Sequence, residues 1–155
     1  MAQIVAAMAM THSPGLTGWF TRASQEYQQL ATPERAYRVG TLLRDLLRAY
    51  PGDERIAVIA TGGLSHEPGG PRYFWVDEEF DRWFLDLLKR GDHAALLREC
   101  TLARMEAAGS GGTAELLAWI LVLAVTQGPA DVLAYMPAVA WRSGTGMVVW
   151  NELAK

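Results

Sequence analysis

Three histidines, one cysteine and one isolated acid are the residues whose types and surroundings could carry chemistry. His12 follows an aliphatic run in Thr11-His12-Ser13-Pro14-Gly15, and His66 follows another in Thr61-Gly62-Gly63-Leu64-Ser65-His66. A histidine delivered by such a loop just after a buried strand is held by rigid scaffold while its ring stays free, which suits a metal ligand or an acid/base. A loop histidine bonded to a backbone carbonyl fits the same place. Glu115 stands in the first turn of an otherwise apolar helix, Glu115-Leu116-Leu117-Ala118-Trp119-Ile120-Leu121-Val122. Its carboxylate either complements the helix dipole or, at a buried end, needs a partner or a metal. Two histidines and a carboxylate are the donor set of a non-haem ferrous site with open positions. His93, in the first turn of a partly exposed helix after Gly91-Asp92, reads as a surface residue, and Cys100 as a small buried hydrophobe.

Positioning these residues falls to alternating strands and helices. Gln3 to Met10 reads as a buried strand ending before His12, and Arg22 to Leu30 as a short helix. Thr32-Pro33-Glu34 supplies an N-cap, a first-turn proline and an early acid for a helix whose apolar side runs through Tyr37, Val39, Leu43, Leu46, Leu47 and Tyr50. Ile56 to Ala60 predicts a buried strand leading into the His66 turn. Asp77 caps a helix to Lys89 with Phe80, Trp83, Phe84, Leu87 and Leu88 inward, and Gly91-Asp92 opens another to about Ala107. After Gly109 to Gly112 comes a helix from Thr113 to Thr126, then strands Val132 to Met136 and Thr145 to Trp150. This order predicts an α/β layered fold, a mixed central sheet flanked by helices, with ligands at the carboxyl ends of strands.

The 155 residues suit one domain, 1–155. Fourteen basic against seventeen acidic residues, a net charge of −3 with no block of either sign, exclude a nucleic-acid or anionic-lipid footprint. A single cysteine excludes an internal disulfide and a multi-thiolate metal site and points to a reducing, cytoplasmic setting. The apolar start MAQIVAAMAM lacks the basic region of a secretory signal, and the apolar run from Leu116 to Val125 falls short of the roughly 20 residues that cross a bilayer, so no membrane partner is expected. The glycine clusters match neither dinucleotide nor P-loop spacing.

Ala60-Thr61-Gly62-Gly63-Leu64-Ser65-His66-Glu67-Pro68-Gly69-Gly70-Pro71-Arg72, followed by Val76-Asp77-Glu78-Glu79-Phe80-Asp81 and Phe84-Leu85, resembles the carboxyl-terminal half of class III extradiol ring-cleavage dioxygenases, the group of the protocatechuate 4,5-dioxygenase catalytic (beta) subunit. The resemblance continues through Ala108-Gly109-Ser110-Gly111-Gly112-Thr113-Ala114-Glu115, and Met8 to Gly15 is similar to the family's first strand with its iron histidine. It implies Fe2+ as cofactor, a catechol and O2 as substrates, and opening of the ring beside the diol. By motif, it implies His12 and Glu115 as iron ligands, His66 as the acid/base that takes and returns a substrate proton, and Ser143 and Thr145 as contacts to a polar group of the substrate.

The family's second iron histidine, in an Asn-Asp-His segment, has no counterpart in this sequence, nor has the long central region. Leu30 runs into Ala31-Thr32-Pro33, which resembles sequence from the far side of that region, so the chain reads as a catalytic subunit shortened near residues 30–32. Two functions follow: an extradiol dioxygenase, or an inactive remnant that keeps the fold and an interaction surface. Surfaces uncovered by the shortening favour a homo-oligomer or a small partner subunit.

Overall fold

A computed structural model describes residues 32–51 and 56–150. The expected strand at Gln3 to Met10, His12, the helix from Arg22 to Leu30 and the junction at Leu30-Ala31 lie outside the described residues. Among these there are five α-helices, α1 (Pro33–Ala49), α2 (Glu78–Arg90), α3 (His93–Glu99), α4 (Leu102–Ala108) and α5 (Leu116–Thr126), and an antiparallel hairpin of β1 (Asp131–Ala138) and β2 (Ser143–Val149).

Local chemistry sets most helix starts. Thr32, Asp77, Asp92 and Thr101 each accept a hydrogen bond from the backbone N–H three residues on, at Arg35, Phe80, Ala95 and Arg104. Thr101 corrects the single helix expected from Asp92 to Ala107: its hydroxyl caps a new helix, so the chain breaks at Cys100 between α3 and α4. A turn of 3₁₀ helix, Thr113–Glu115, precedes α5, whose sequence Leu-Leu-Ala-Trp-Ile-Leu-Val-Leu-Ala-Val-Thr is buried around nearly its whole circumference, as an all-apolar helix requires. The core joins Phe84, Leu87 and Leu88 of α2 to Leu96, Met105, Leu116, Ile120 and Leu123.

The inward face of α1 is only in part the one expected, with Tyr37, Leu43 and Leu47 half-buried. Val39 and Leu46 are exposed, at 53% and 69%, as are Leu42 and Tyr50. Pro33 and Gly40 are buried instead, with Ala36 and Tyr37 packed on the core. Small residues let α1 lie directly on α5: a Cβ at Gly40 would stand 2.2 Å from the Leu121 carbonyl oxygen and 2.7 Å from Ala124 Cβ. Summing bulky apolar residues misplaced Val39, Leu46 and Tyr50 because close approach of two backbones selects residues with almost no side chain.

The sheet also differs. Ile56 to Ala60 enters no ladder, and Ile56 and Ile59 are 52% and 75% exposed. Strand propensity is realised only against a neighbouring strand, and the strands among the described residues pair with each other. Among the described residues they form a two-stranded antiparallel sheet, to which the expected strand at Ile56 to Ala60 contributes nothing. β1 runs through Pro137, opposite Gly144, and the chain returns through the 3₁₀ turn Val139–Trp141 and Arg142, whose φ is 61°.

One buried carboxylate ties these pieces together. Asp81, on the inner side of α2 and fully buried, accepts from the Ser65 N–H (2.7 Å) and the Tyr135 hydroxyl (2.9 Å), joining α2, the His66 loop and β1. Burial pushes its carboxyl above the usual carboxylate range, against the pull of those two donors.

Two stability measurements check this packing. Gly40→Ala gains helix propensity but drives a methyl group into Leu121, so urea unfolding should show a net loss of about 1–3 kcal/mol; a stabilised variant would contradict the α1–α5 contact. Asp81→Ala strands the Ser65 N–H and should cost about 1–3 kcal/mol. Asp81→Asn, with one acceptor for Ser65 and an amide to donate to Tyr135, should cost clearly less, and equal losses in the two variants would argue against the hydrogen bonds.

Candidate active site

The loop Gly62 to His66 has no regular secondary structure, yet four successive amides each find an acceptor, shared among three segments: the 3₁₀ turn Thr113–Glu115, β2 and α2. Gly63 N–H goes to Glu115 Oε2 (2.9 Å), Leu64 N–H to the Gly144 carbonyl (2.9 Å), Ser65 N–H to Asp81 (2.7 Å) and His66 N–H to Thr113 Oγ1 (3.3 Å). Gly144 N–H returns a bond to the Ser65 carbonyl (3.0 Å), and Ser65 Oγ accepts from the Asp77 N–H (2.8 Å). A loop can be buried only when its polar backbone is accounted for in this way.

His66 and Glu115, far apart in sequence, meet here. His66 Nδ1 lies 2.8 Å from the Leu64 carbonyl oxygen, which can only accept, so Nδ1 carries the proton and the neutral ring presents its lone pair at Nε2. Nε2 faces Glu115 Oε2 at 3.8 Å, with the histidine side chain 16% exposed and the glutamate 38%. Two lone-pair donors facing each other across such a gap fit a proton or a cation between them. On the other side the ring lies against Gly112, where a Cβ would stand 2.4 Å from His66 Cδ2 and 2.6 Å from Nε2, so only glycine leaves room for the imidazole.

Glu115 occupies the N-cap position of α5 without a capping hydrogen bond from its side chain; the carboxylate instead accepts from Gly63, faces His66 and is partly open to solvent, unlike the buried acid expected. Ser143 sits beside the pair: its Oγ and the His66 ring both crowd the position a Cβ would take on Gly63, at 2.4 Å and 3.0 Å. Thr145, two residues further along β2, is exposed and lies opposite Met136 in the ladder. His12 lies outside the described residues. Among those described, no three His, Cys, Asp or Glu side chains gather as a metal site; Glu115 and His66 are the metal-type donors that converge.

His93 is not a surface residue. It is half-buried between helices: the Gln127 amide donates to the Tyr37 oxygen (3.0 Å), leaving the tyrosine proton for His93 Nδ1 (2.7 Å). Burial pushes the pKa of His93 down. Cys100 is buried as expected; although Arg104 stands four residues on and favours the thiolate, burial dominates and pushes the thiol up to about 12, which removes it as a nucleophile.

Sequence reasoning gave no role to Asp81, Glu67, Arg72 or Thr113. Asp81 carries a readable signal, because it stands three, four and seven residues before Phe84, Leu85 and Leu88, inside the apolar stripe of α2. An acid there is buried and needs donors. Glu67 is 4% exposed and pairs with Arg72, Nη2 to Oε2 at 2.7 Å and Nε to Oε2 at 2.9 Å. The Arg72 backbone amide above all, with its guanidinium and the Ser110 amide, holds the Glu67 carboxyl below the usual range despite burial.

No helix among the described residues is long and apolar enough to cross a membrane. Residues 23–146 match the family described as the catalytic LigB subunit of aromatic ring-opening dioxygenase. Gallate dioxygenase of Pseudomonas putida is 37% identical over 93 residues, which make up 60% of this chain and 27% of that protein, so the chain spans about a quarter of the length of this relative. The Gly-Gly-Leu-Ser-His loop anchored by four amides, with its histidine against a glutamate, lies inside the matched region, and the chain belongs to the family of the catalytic LigB subunit of aromatic ring-opening dioxygenase.

Proposed function

We propose that this chain, as a single domain over residues 1–155, is an extradiol ring-cleavage dioxygenase that opens a catecholic ring with O2 and Fe2+. The observation that carries the reading is the His66–Glu115 pair: an imidazole with its Nδ1–H fixed on a carbonyl, and its Nε2 lone pair 3.8 Å from a carboxylate oxygen. The layered α/β fold of the class belongs to the same reading, with β1 and β2 as its described strands, as do a homo-oligomer or small partner subunit and a cytoplasmic setting.

His12 and Glu115 would hold the iron, which when bound supplies a Lewis acid and a route for electrons from the diol to O2. The chain's own residues handle position and protons. Gly63 N–H fixes one oxygen of Glu115 and leaves the other for a ligand. His66 Nε2 takes the proton of a catechol hydroxyl; the imidazolium so formed keeps its Nδ1–H on Leu64, and the Glu115 charge opposite stabilises it. The same atom returns the proton as the ring opens. Ser143, beside the ring, and Thr145 would contact a polar group of the substrate.

Anaerobic ferrous titration of the wild type beside His12→Ala and Glu115→Ala tests the metal, and O2 uptake with catechol, protocatechuate or gallate, read with a yellow ring-opened product, tests the reaction. Wild type should bind iron and both alanine variants should lose it. His66→Ala should keep iron and lose turnover by roughly 10²- to 10⁴-fold. A wild type that binds no ferrous iron removes the enzyme reading, and one that binds iron without consuming O2 identifies a remnant of the family.

A further inference from the structure

The His66 loop is fastened from two sides, and the second fastening has no part in the chemistry so far described. Glu67 follows His66 directly, and its carboxylate closes the loop on itself by accepting from Arg72 at the backbone N–H (3.2 Å) and Nε (2.9 Å). It also reaches the segment leading to Glu115 through the Ser110 N–H (3.4 Å). The Arg72 guanidinium lies over the Trp75 ring, 4.9 Å from its centroid, and carries the connection further, with Nη1 donating to the Ala107 carbonyl (2.6 Å) and Nη2 to the Glu106 carbonyl (3.3 Å). Both carbonyls lie in the last turn of α4, the end of a helix that favours a cation, and that of Glu106 also accepts from the Gly109 N–H. The Glu106 carboxylate in turn receives the Ser110 hydroxyl and the Gly111 N–H.

Residues 106–111 are therefore held by one ion pair anchored next to His66, in which Nε and Nη2 of Arg72 both donate to Glu67 Oε2 and the Arg72 backbone N–H takes Oε1. Gly112 and Thr113 follow, the first packed on the His66 ring and the second accepting its backbone N–H, and Glu115 stands two residues beyond. We propose that Glu67 and Arg72 are a positioning pair that sets the His66 Nε2 to Glu115 Oε2 separation, and through it metal affinity and proton transfer at the site. The metal and proton part of this inference rests on the proposed dioxygenase function; the positional part does not. A lysine at 72 keeps the charge but cannot span Glu67 and two carbonyls with one rigid fork. A glutamine at 67 keeps the shape but sets an N–H against arginine donors.

The experiment compares the full chain with Glu67→Gln and Arg72→Lys. Hydrogen exchange is read at the Gly63 amide, which reports the bond to Glu115, relative to the Leu123 amide in the core; ferrous titration is read alongside. Both variants should exchange Gly63 selectively faster, with Leu123 little changed, and should bind iron roughly ten- to a hundredfold more weakly, the usual consequence of loosening groups that orient ligands. In the Glu67→Gln/Arg72→Lys double variant the losses should fall short of additive. Unchanged Gly63 exchange in both variants overturns the proposal, and so does equal acceleration at Gly63 and Leu123, which marks a purely structural pair. Arg72, partly exposed, decides the matter if Glu67→Gln does not fold. A wild type that binds no iron defeats the dioxygenase reading, while the exchange comparison still decides the positional one.

Discussion

The carboxylate of Asp81 is the constraint on which the rest of the structure depends. A charge in a core of Phe80, Phe84, Leu85 and Leu88 is costly, and burial accordingly raises its pKa. A folded pKa above the unfolded one means that the native state binds the proton more tightly, so the contribution of Asp81 to stability is greatest below the unfolded pKa and falls as pH rises through the folded one. Burial itself therefore works against the ionised carboxylate. The carboxylate's effect is geometric: it is the common acceptor for a loop amide and a strand phenol, and the alternatives leave one of those donors dry. Burial and the Asp81 charge also push the Tyr135 phenol up, which keeps that hydroxyl a donor.

From this point the site assembles by exhaustion of backbone donors. The Gly63 to His66 segment has no helix or strand to absorb its amides, so each must find an acceptor elsewhere, and the four acceptors belong to the 3₁₀ turn Thr113–Glu115, which supplies two, and to β2 and α2. A segment tied to three neighbours by four bonds cannot shift toward one without breaking its bond to another. That is how an irregular loop holds an imidazole as firmly as a regular element would. The Glu67–Arg72 pair closes the same loop from its carboxyl side, in the place where β-ladder bonds would otherwise stop it drifting.

What was legible in the sequence followed the range of the interaction. Thr32, Asp77 and Asp92 cap helices through bonds three residues long, and these starts read correctly from local residue types. The all-apolar run from Leu116 to Val125 could only be a buried helix. Thr101 was as local a signal but was masked by the apolar spacing on either side of it, which suggested one helix where two meet. Tertiary contacts were harder: the buried face of α1 is chosen by Gly40 against Leu121, and the fate of Ile56 to Ala60 depends on partners that no window of sequence contains. His66 and Glu115 were legible as residues of the right type at element ends; that they face each other was carried by the family resemblance, since nothing local links them. Glu67 and Arg72 were hidden because an acid and a base in a glycine-rich loop usually mean solvent.

The direction of proton traffic is set by the loop itself. The partner of His66 Nδ1 is the carbonyl of Leu64, two residues back in the same turn, and a carbonyl never gives up a proton. A carboxylate in its place could draw the Nδ1 proton and make the ring's two nitrogens compete. With the carbonyl there, only Nε2 can exchange a proton, and Nε2 points at Glu115. The Leu64 carbonyl holds that orientation because the Leu64 and Ser65 amides are committed to β2 and to Asp81. The buried charge in α2 thus determines which nitrogen of His66 is free to act, through hydrogen bonds whose every donor and acceptor can be named.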